Sequence, residues 1–522
     1  MKKEIRISYR SFFAVCIGFL GLPVLLFLAC YLKPYIGIPL ALIMLGTYIF
    51  AVKDACKGQD LKPLDGKKTD ITIPAGYFIG YLIFALFLSW FSGVGEYIVT
   101  FNDHHYRFAI LNDLVSYKWP VIYDYSTQTN PQVIEYFSKT SGSNAAFVYY
   151  FTYWMPAALV GKAFGLTAAR IALIIWNGLG IFLTLIGVSK YIGRASFTVP
   201  FCYFCFGGLD VIPNIIHDII PYAEWNGMER WAPELAYMSN FAELTSVFHQ
   251  CVPVFLAVTL IMISKNTRSV GLIGALILSY TPWGIIGLVP VALVSALRKE
   301  MREGGTGQLL KNLFTFQNIV SCIVLLFVFG ALYMSNSASV SDKGFIFKYI
   351  TNPALCILIY IAFIAVEVLP FALLLYKNEK KNALFLAAVI ELCLIPLFKA
   401  SFENDFCMRV SMAPRFILCI LFARFLKDIY DADKIISSKK LKRKKKDILK
   451  MVLTVLVAIG MVYPAFNLSF YIAGCTATGE PIAADGVVSF GNIRDEEHLW
   501  NCTHNYMSEG YEDTFFFKYL VK

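Results

Sequence analysis

The chain has 522 residues, 57% of them hydrophobic and 16% charged, with a mean hydropathy of +0.60. That balance excludes an ordinary soluble domain, and repeated apolar runs long enough to cross a bilayer make it a polytopic helical membrane protein. The net charge of +10 therefore reads as topology-setting basic loops, not as a nucleic-acid signal.

Met1-Lys2-Lys3-Glu4-Ile5-Arg6 runs straight into an apolar stretch without a small-residue cleavage site, so the first span is expected to be retained. Candidate spans follow at 11–32, 35–52, 73–92, 146–164, 168–189, 196–216, 247–264, 270–297, 317–334, 352–376, 382–398, 412–426 and 451–473. Basic connectors at 53–68, 265–268, 298–311, 377–381 and 427–450 mark the cytoplasmic side. The last holds the basic run 439–446, a topological anchor or an anionic-lipid contact. Outer segments are then 93–145, 217–246, 335–351, 399–411 and a tail from 474. The expected organisation is a transmembrane domain over 1–473, with outer loops at 93–145 and 207–249, and a short extracytoplasmic tail, 474–522.

Two places break the alternation of sides. Two spans separate the outer 93–145 from Lys190 and Arg194, so a segment within 131–220 is re-entrant or misdivided, or that basic pair is outside. The 270–297 run needs a break near Thr281-Pro282-Trp283-Gly284 to keep both flanks cytoplasmic. The thirteen cysteines lie mostly in apolar runs. Cys475 and Cys502 share the tail, where spacing alone does not establish a disulfide.

Polar residues gather in the outer segments, and all six histidines fall there or at an outer span end. In the first large loop, Asp103, His104, His105, Tyr106, Arg107, Asn112 and Asp113 crowd together. At 3.6 residues per turn Phe101, Phe108, Leu111 and Val115 share one face. Asp103, Tyr106, Arg107 and Ile110 share the next, which predicts an amphipathic helix at the membrane surface. The bland alternative is a solvated helix with an ordinary ion pair. Asp210, His217, Asp218, Glu224, Trp225, Glu229, Trp231 and then Asn240 to His249 mix aromatic rings, acids and amides. That is a sugar-binding composition or an interfacial aromatic belt. Lys399, Glu403, Asn404, Asp405, Arg409 and Arg415 crowd a short link, as a phosphate clamp or as a capped turn with Arg409 paired to Asp405. Glu367 and Glu391 each precede a proline inside an apolar run; a carboxylate there is functional or bonds the backbone the proline frees. Adjacent His104 and His105 point to different faces and do not form a metal-binding pair.

With these residues in view, the layout resembles the GT-C superfamily of polytopic membrane glycosyltransferases. In that family a large outer loop follows an early span and carries an acidic residue at the start of a surface helix. Asp103-His104-His105-Tyr106-Arg107-Phe108-Ala109 is similar to that setting, with His104 where the family often has a second acid. Trp119-Pro120-Val121 and the run 147–156 look like the end of that loop and the span after it. Arg170 following Ala168-Ala169 is similar to the next span start.

The resemblance implies an all-α, GT-C-like bundle of about 13–14 spans with amphipathic surface helices in the first outer loop. It implies transfer of a hexose or pentose, with inversion, from a polyprenyl-phosphate-linked donor to a glycan, polymer or lipid acceptor. The active site would face outside a multi-pass protein of the plasma membrane, within cell-envelope polysaccharide chemistry. Asp103 would be the general base and His104 would orient it. Arg409, helped by Lys399 or His249, would meet the departing phosphate, with Tyr106, Arg107, Asp210, Glu224 and Asp405 also binding substrate. No cofactor is implied with certainty, and a divalent cation is left open. The rivals are a lipid-linked glycan transporter or flippase, which predicts polar residues strung through the spans, and a polysaccharide polymerase or ligase, which predicts its largest outer loop late in the chain.

Overall fold

Apolar runs become helices where small polar residues or prolines start them. In the computed structural model, α1 (Tyr9–Tyr31) begins where Ser8 Oγ accepts the Ser11 N–H at 3.1 Å. Helix α2 (Pro34–Asp54) starts on its proline, and α3 (Ala75–Phe91) follows. Strands β1 (Glu4–Ile7) and β2 (Ile71–Pro74) pair antiparallel just ahead of α1 and α3. Described residues are 3–57, 70–98, 104–126, 130–140, 144–219, 229–303, 305–336, 343–401, 403–435, 452, 454–456, 458–478, 489–493 and 496–521. Asp103, Glu224, the basic run 439–446 and the Cys475 side chain lie outside them.

The first loop holds α4 (His104–Ser116), β3 (Ile122–Asp124), α5 (Pro131–Thr140) and β4 (Asn144–Phe147). A 3₁₀ turn at Phe151–Trp154 leads into α6 (Met155–Phe164) and then the long α7 (Leu166–Ile192). The expected span at 146–164 is thus a strand, a tight turn and a ten-residue helix. Ten residues rise about 15 Å, half a bilayer core. Only α7 runs the full distance, and Tyr191 near its end lies under the Arg424 guanidinium at 5.4 Å. The 146–164 run is thus not one helical span, and Tyr191, next to Lys190, lies on the side of Arg298 and Arg424.

Gly207-Gly208 separates α8 (Thr198–Cys205) from α9 (Val211–Ile219), so the expected 196–216 span is also broken. Helix α10 (Asn240–Ile263) is the central helix, buried along nearly its whole length. Helices α11 (Val270–Ile277) and α12 (Pro282–Glu303) form the broken pair expected around Thr281, and Glu300 near the end of α12 accepts from Thr267 just before α11. Next come α13 (Gly305–Leu313), α14 (Phe316–Met334) and β5 (Lys343–Phe345). Helices α15 (Pro353–Glu367) and α16 (Leu369–Glu379) meet at a 55° bend. Then follow α17 (Ala383–Leu394), β6 (Phe398–Ala400) paired with β5, α18 (Asp405–Val410), α19 (Met412–Ile435) and α20 (Val462–Thr478). The tail contributes α21 (Glu496–Tyr506) and β7 (Met507–Glu509).

Among the described residues six helical stretches are long and apolar enough to cross a membrane, seven if the bent pair is one span. The expected count is 13 to 14: breaks at 147–154, 206–210, 278–281 and 368 divide four of the apolar runs, α3 and the run from Ala383 to Leu397 are shorter apolar helices, and the 451–473 run lies partly outside the described residues.

The two ends of the bundle differ chemically. At one, Asp54 takes Arg268 at 2.6 Å, Arg268 reaches Asn312, Asn312 reaches Glu300, Arg298 donates to Asn382, and Arg424 pairs with Glu379. The basic connectors at 53–57, 265–268, 298–300 and 377–382 therefore meet at one end. The other end carries α4, the three-stranded sheet β3-β4-β7 and the start of α10.

The tail packs back over that second end. Strand β7 pairs with β4, Leu520 O accepts the Lys33 N–H at 2.8 Å, and Phe516 lies against Phe27.

Candidate functional site

The site is organised by a break in the central helix. Val247 in α10 has φ −142° and ψ 43°, which interrupts the i→i−4 ladder and frees carbonyls in a buried place. Two of those carbonyls are claimed by α4. His104 Nε2 donates to Thr245 O at 2.8 Å, and Arg107 Nε donates to Ser246 O at 3.3 Å. Both side chains are buried, at 1% and 3% exposure. The expected amphipathic surface helix is therefore buried on its polar side as well: Tyr106, Arg107, Ile110, Leu111 and Asp113 all point inward.

Arg107 reaches further. Its Nη1 donates to the hydroxyls of Tyr149 at 2.9 Å and Tyr506 at 3.0 Å. Tyr149 sits 3.5 Å from His249 Nε2, and the His249 ring packs 4.5 Å from Trp154. The charges of Arg107 and Arg409 both reach His249 and one another, so three cationic or imidazole groups share one buried layer between α4, α10 and α18. Burial, with the neighbouring Arg107 and His105 charges adding to it, depresses His104 from its ordinary 6.5 to about 4. It is a neutral imidazole at pH 7.

Arg409 is anchored as the sequence allowed. Asn404, at φ +54°, starts α18 by accepting the Cys407 N–H at 3.2 Å. Asp405 then takes Arg409 Nε and Nη2 at 2.9 and 2.6 Å. This leaves Arg409 Nη1 buried and without a partner among the described residues. The capped turn and the clamp are compatible: the ion pair fixes the fork while one donor remains.

The other candidate residues lie elsewhere. Lys399 pairs with Glu234 and sits 4.5 Å over the Tyr349 ring. Tyr106 is stacked with Tyr506 and Phe490 from the tail, at 5.6 and 6.5 Å between ring centres. Asp210 belongs to a second cluster with Glu229, Glu367 and Arg415. There Trp231 Nε1 donates to Glu367 Oε1 at 3.0 Å, and the glycine at 208 is required because a Cβ would collide with the Glu367 carboxylate. Burial raises Glu229 to about 7, opposed by the Ser239 N–H and hydroxyl that bond both its oxygens. Glu243 connects the clusters, its charge reaching Arg415 and Arg409.

A cavity of about 10 Å³, room for one water, lies beside His104 and Arg107 and is lined also by Gly93, Glu96, Trp154 and Phe248. Glu96, at φ +70°, pairs with Arg170 there, and burial lifts it to about 7 against the pull of that arginine. Among the described residues no group of three or more His, Cys, Asp or Glu side chains is placed to hold a metal ion.

Tyr149, Gln250 and Tyr506 are members of these clusters that sequence reasoning did not single out; Arg415 was noted with the possible clamp and Glu243 lay within the Asn240 to His249 stretch, neither with a role of its own. Glu243 and Gln250 carried a signal, being polar groups in the first turns of an otherwise apolar run; Tyr506, in a tail remote in sequence, carried none. Comparison with family models, curated proteins and solved structures returned no match.

Proposed function

We propose that the chain is a membrane glycosyltransferase of the GT-C type, moving a hexose or pentose from a polyprenyl-phosphate donor to a glycan, polymer or lipid acceptor. The observation that carries this reading is the buried layer in which Arg107, on the helix that Asp103 precedes, His249 and Arg409 come together, with Arg409 Nη1 left over after its pair with Asp405. A phosphate ester suits donors held in a dry place, since it only accepts.

In the proposed reaction Asp103 takes the proton of the acceptor hydroxyl as its oxygen attacks the anomeric carbon. The bond from that carbon to the phosphate oxygen breaks, and the pair of electrons leaves with the lipid phosphate, inverting the centre. Arg409, already oriented by Asp405, meets the growing phosphate charge, and the imidazole of His249 and the guanidinium of Arg107 add to it. The basic end of the bundle would be cytoplasmic by the positive-inside rule, which puts the site on the extracytoplasmic face of a plasma-membrane protein.

One feature favours a second reading. The 55° bend between α15 and α16, with buried Glu367 at its edge, is the kind of broken span found in secondary transporters, which would suit movement of a lipid-linked glycan. Protein in liposomes incubated with a panel of undecaprenyl-phosphate sugars and a mixture of glycan and lipid acceptors separates the two. Enzymatic release of undecaprenyl phosphate, lost in Arg409→Gln, supports transfer. Movement of intact donor across liposomes without release supports transport.

A further inference from the structure

Five buried polar atoms around the break in α10 have no partner among the described residues: Trp154 Nε1, Glu243 Oε2, His249 Nδ1, Gln250 Oε1 and Arg409 Nη1. Glu243, His249 and Gln250 are 3%, 0% and 0% exposed. Glu243, His249 and Gln250 share α10, Gln250 Nε2 lies 3.1 Å from His249 Nε2, and the Trp154 ring packs 4.5 Å from that imidazole. The charge of Arg409, on α18, is felt at both His249 and Glu243. A buried polar atom left unpaired is costly, and three within eight residues of α10, beside those of Trp154 and Arg409, mark a place built for a ligand.

Their chemistry names the ligand. The Gln250 amide nitrogen only donates, so His249 Nε2 accepts and the ring proton sits on Nδ1. The unfilled set is then three donors, Trp154 Nε1–H, His249 Nδ1–H and Arg409 Nη1–H, and two acceptors, Glu243 Oε2 and Gln250 Oε1. An ionised phosphate ester only accepts. It satisfies the donors and leaves the carboxylate and amide oxygens in need of protons. Hydroxyls supply those protons.

We propose that Glu243 and Gln250 form the subsite that reads the sugar hydroxyls of a glycosyl phosphate whose phosphate is held by Arg409 and His249. This rests on the glycosyl-transfer reading and goes beyond it by assigning sugar recognition to two residues on the central helix rather than to the aromatic outer loops.

The test uses the full-length protein in detergent. Affinities are measured by native mass spectrometry for undecaprenyl phosphate and for its glucosyl, mannosyl, galactosyl and arabinosyl phosphate esters. Wild type is expected to bind at least one glycosylated lipid about tenfold or more tighter than the bare phosphate. Glu243→Gln and Gln250→Leu each reduce that preference about tenfold, the scale of one lost hydrogen bond to a charged or buried group; Glu243→Gln does not weaken binding of the bare phosphate, whereas Gln250→Leu, which also removes the donor to His249 Nε2, weakens both kinds of lipid and the glycosylated one about tenfold more. Arg409→Gln weakens both kinds of lipid. Gln250→Leu keeps the test informative should the carboxylate variant fail to fold. Unchanged preference in Gln250→Leu, or equal loss of both lipids in a folded variant, overturns the subsite. Wild type that holds bare phosphate without preferring any sugar ester overturns the subsite alone and leaves the phosphate clamp standing. Wild type that binds neither overturns both.

Discussion

The Arg107 guanidinium donates to the Tyr506 hydroxyl at 3.0 Å, joining α4 to the tail across 399 positions of chain. The same guanidinium holds Tyr149 and the freed carbonyl of Ser246, so one side chain ties the first loop, the aromatic turn, the central helix and the tail together. Tyr506→Phe keeps the stacking on Tyr106 and Phe490 and removes one bond to a charged donor. It is expected to destabilise the fold by about 1.5–3 kcal/mol, read as a lowered midpoint in thermal unfolding. Arg107→Met is expected to cost more, because it removes the donor to Ser246 O and to two hydroxyls at once. Equal stability of Tyr506→Phe and wild type would remove the tail from the site.

His104 gives a pH signature. Its folded value of about 4 lies below its ordinary 6.5, so the unfolded chain binds the proton more readily than the folded one between those values. Stability is therefore full above about pH 6.5 and falls as pH drops towards 4. The total comes to roughly 3 kcal/mol, each tenfold change in proton affinity being worth about 1.36 kcal/mol. His104→Gln, which can still donate to Thr245 O, is expected to flatten that part of the curve. An unaltered slope in the variant would contradict the assignment.

Gly93 stands at φ +88°, and a Cβ there would run into the His104 ring. Gly93→Ala combines a backbone conformation costing about 1–3 kcal/mol with displacement of His104 from Thr245 O. Limited proteolysis should cut the first loop faster in this variant, whereas Gly18→Ala, at a position with open space, should behave as wild type.

Arg409 and Asp405 separate structure from chemistry. Arg409→Gln orphans a largely buried carboxylate and is expected to lower both stability, by about 1.5–3 kcal/mol, and turnover, by about 10²–10³-fold. The double variant Asp405→Asn/Arg409→Gln should recover the stability and not the turnover. Recovery of both would make the pair a structural cap and nothing more.

Much of this architecture was legible in sequence and some was not, for identifiable reasons. The long spans and the break at Thr281-Pro282 follow from apolar length and proline chemistry, and the Asn404–Asp405–Arg409 cap follows from local spacing. The break at Val247 was hidden. The proline of that helix is Pro253, six residues on, and the distortion sits instead where His104 and Arg107 take the carbonyls of Thr245 and Ser246. Strand β7 was hidden too, since Met507-Ser508-Glu509 has no strand pattern of its own and pairs because Ala145–Phe147 offers an edge. Lys399 read as a phosphate ligand from its neighbours in sequence, yet Glu234 and Tyr349, from other parts of the chain, occupy it.

The most direct test of the central claim is a structure with undecaprenyl phosphate bound. Glycosyl transfer predicts phosphate density within hydrogen-bond reach of Arg409 Nη1 and His249 Nδ1, with Asp103 facing it across the space beside α4. Phosphate bound instead at the basic end, among Arg268, Arg298 and Arg424, with the layer around His249 closed and empty, would contradict it.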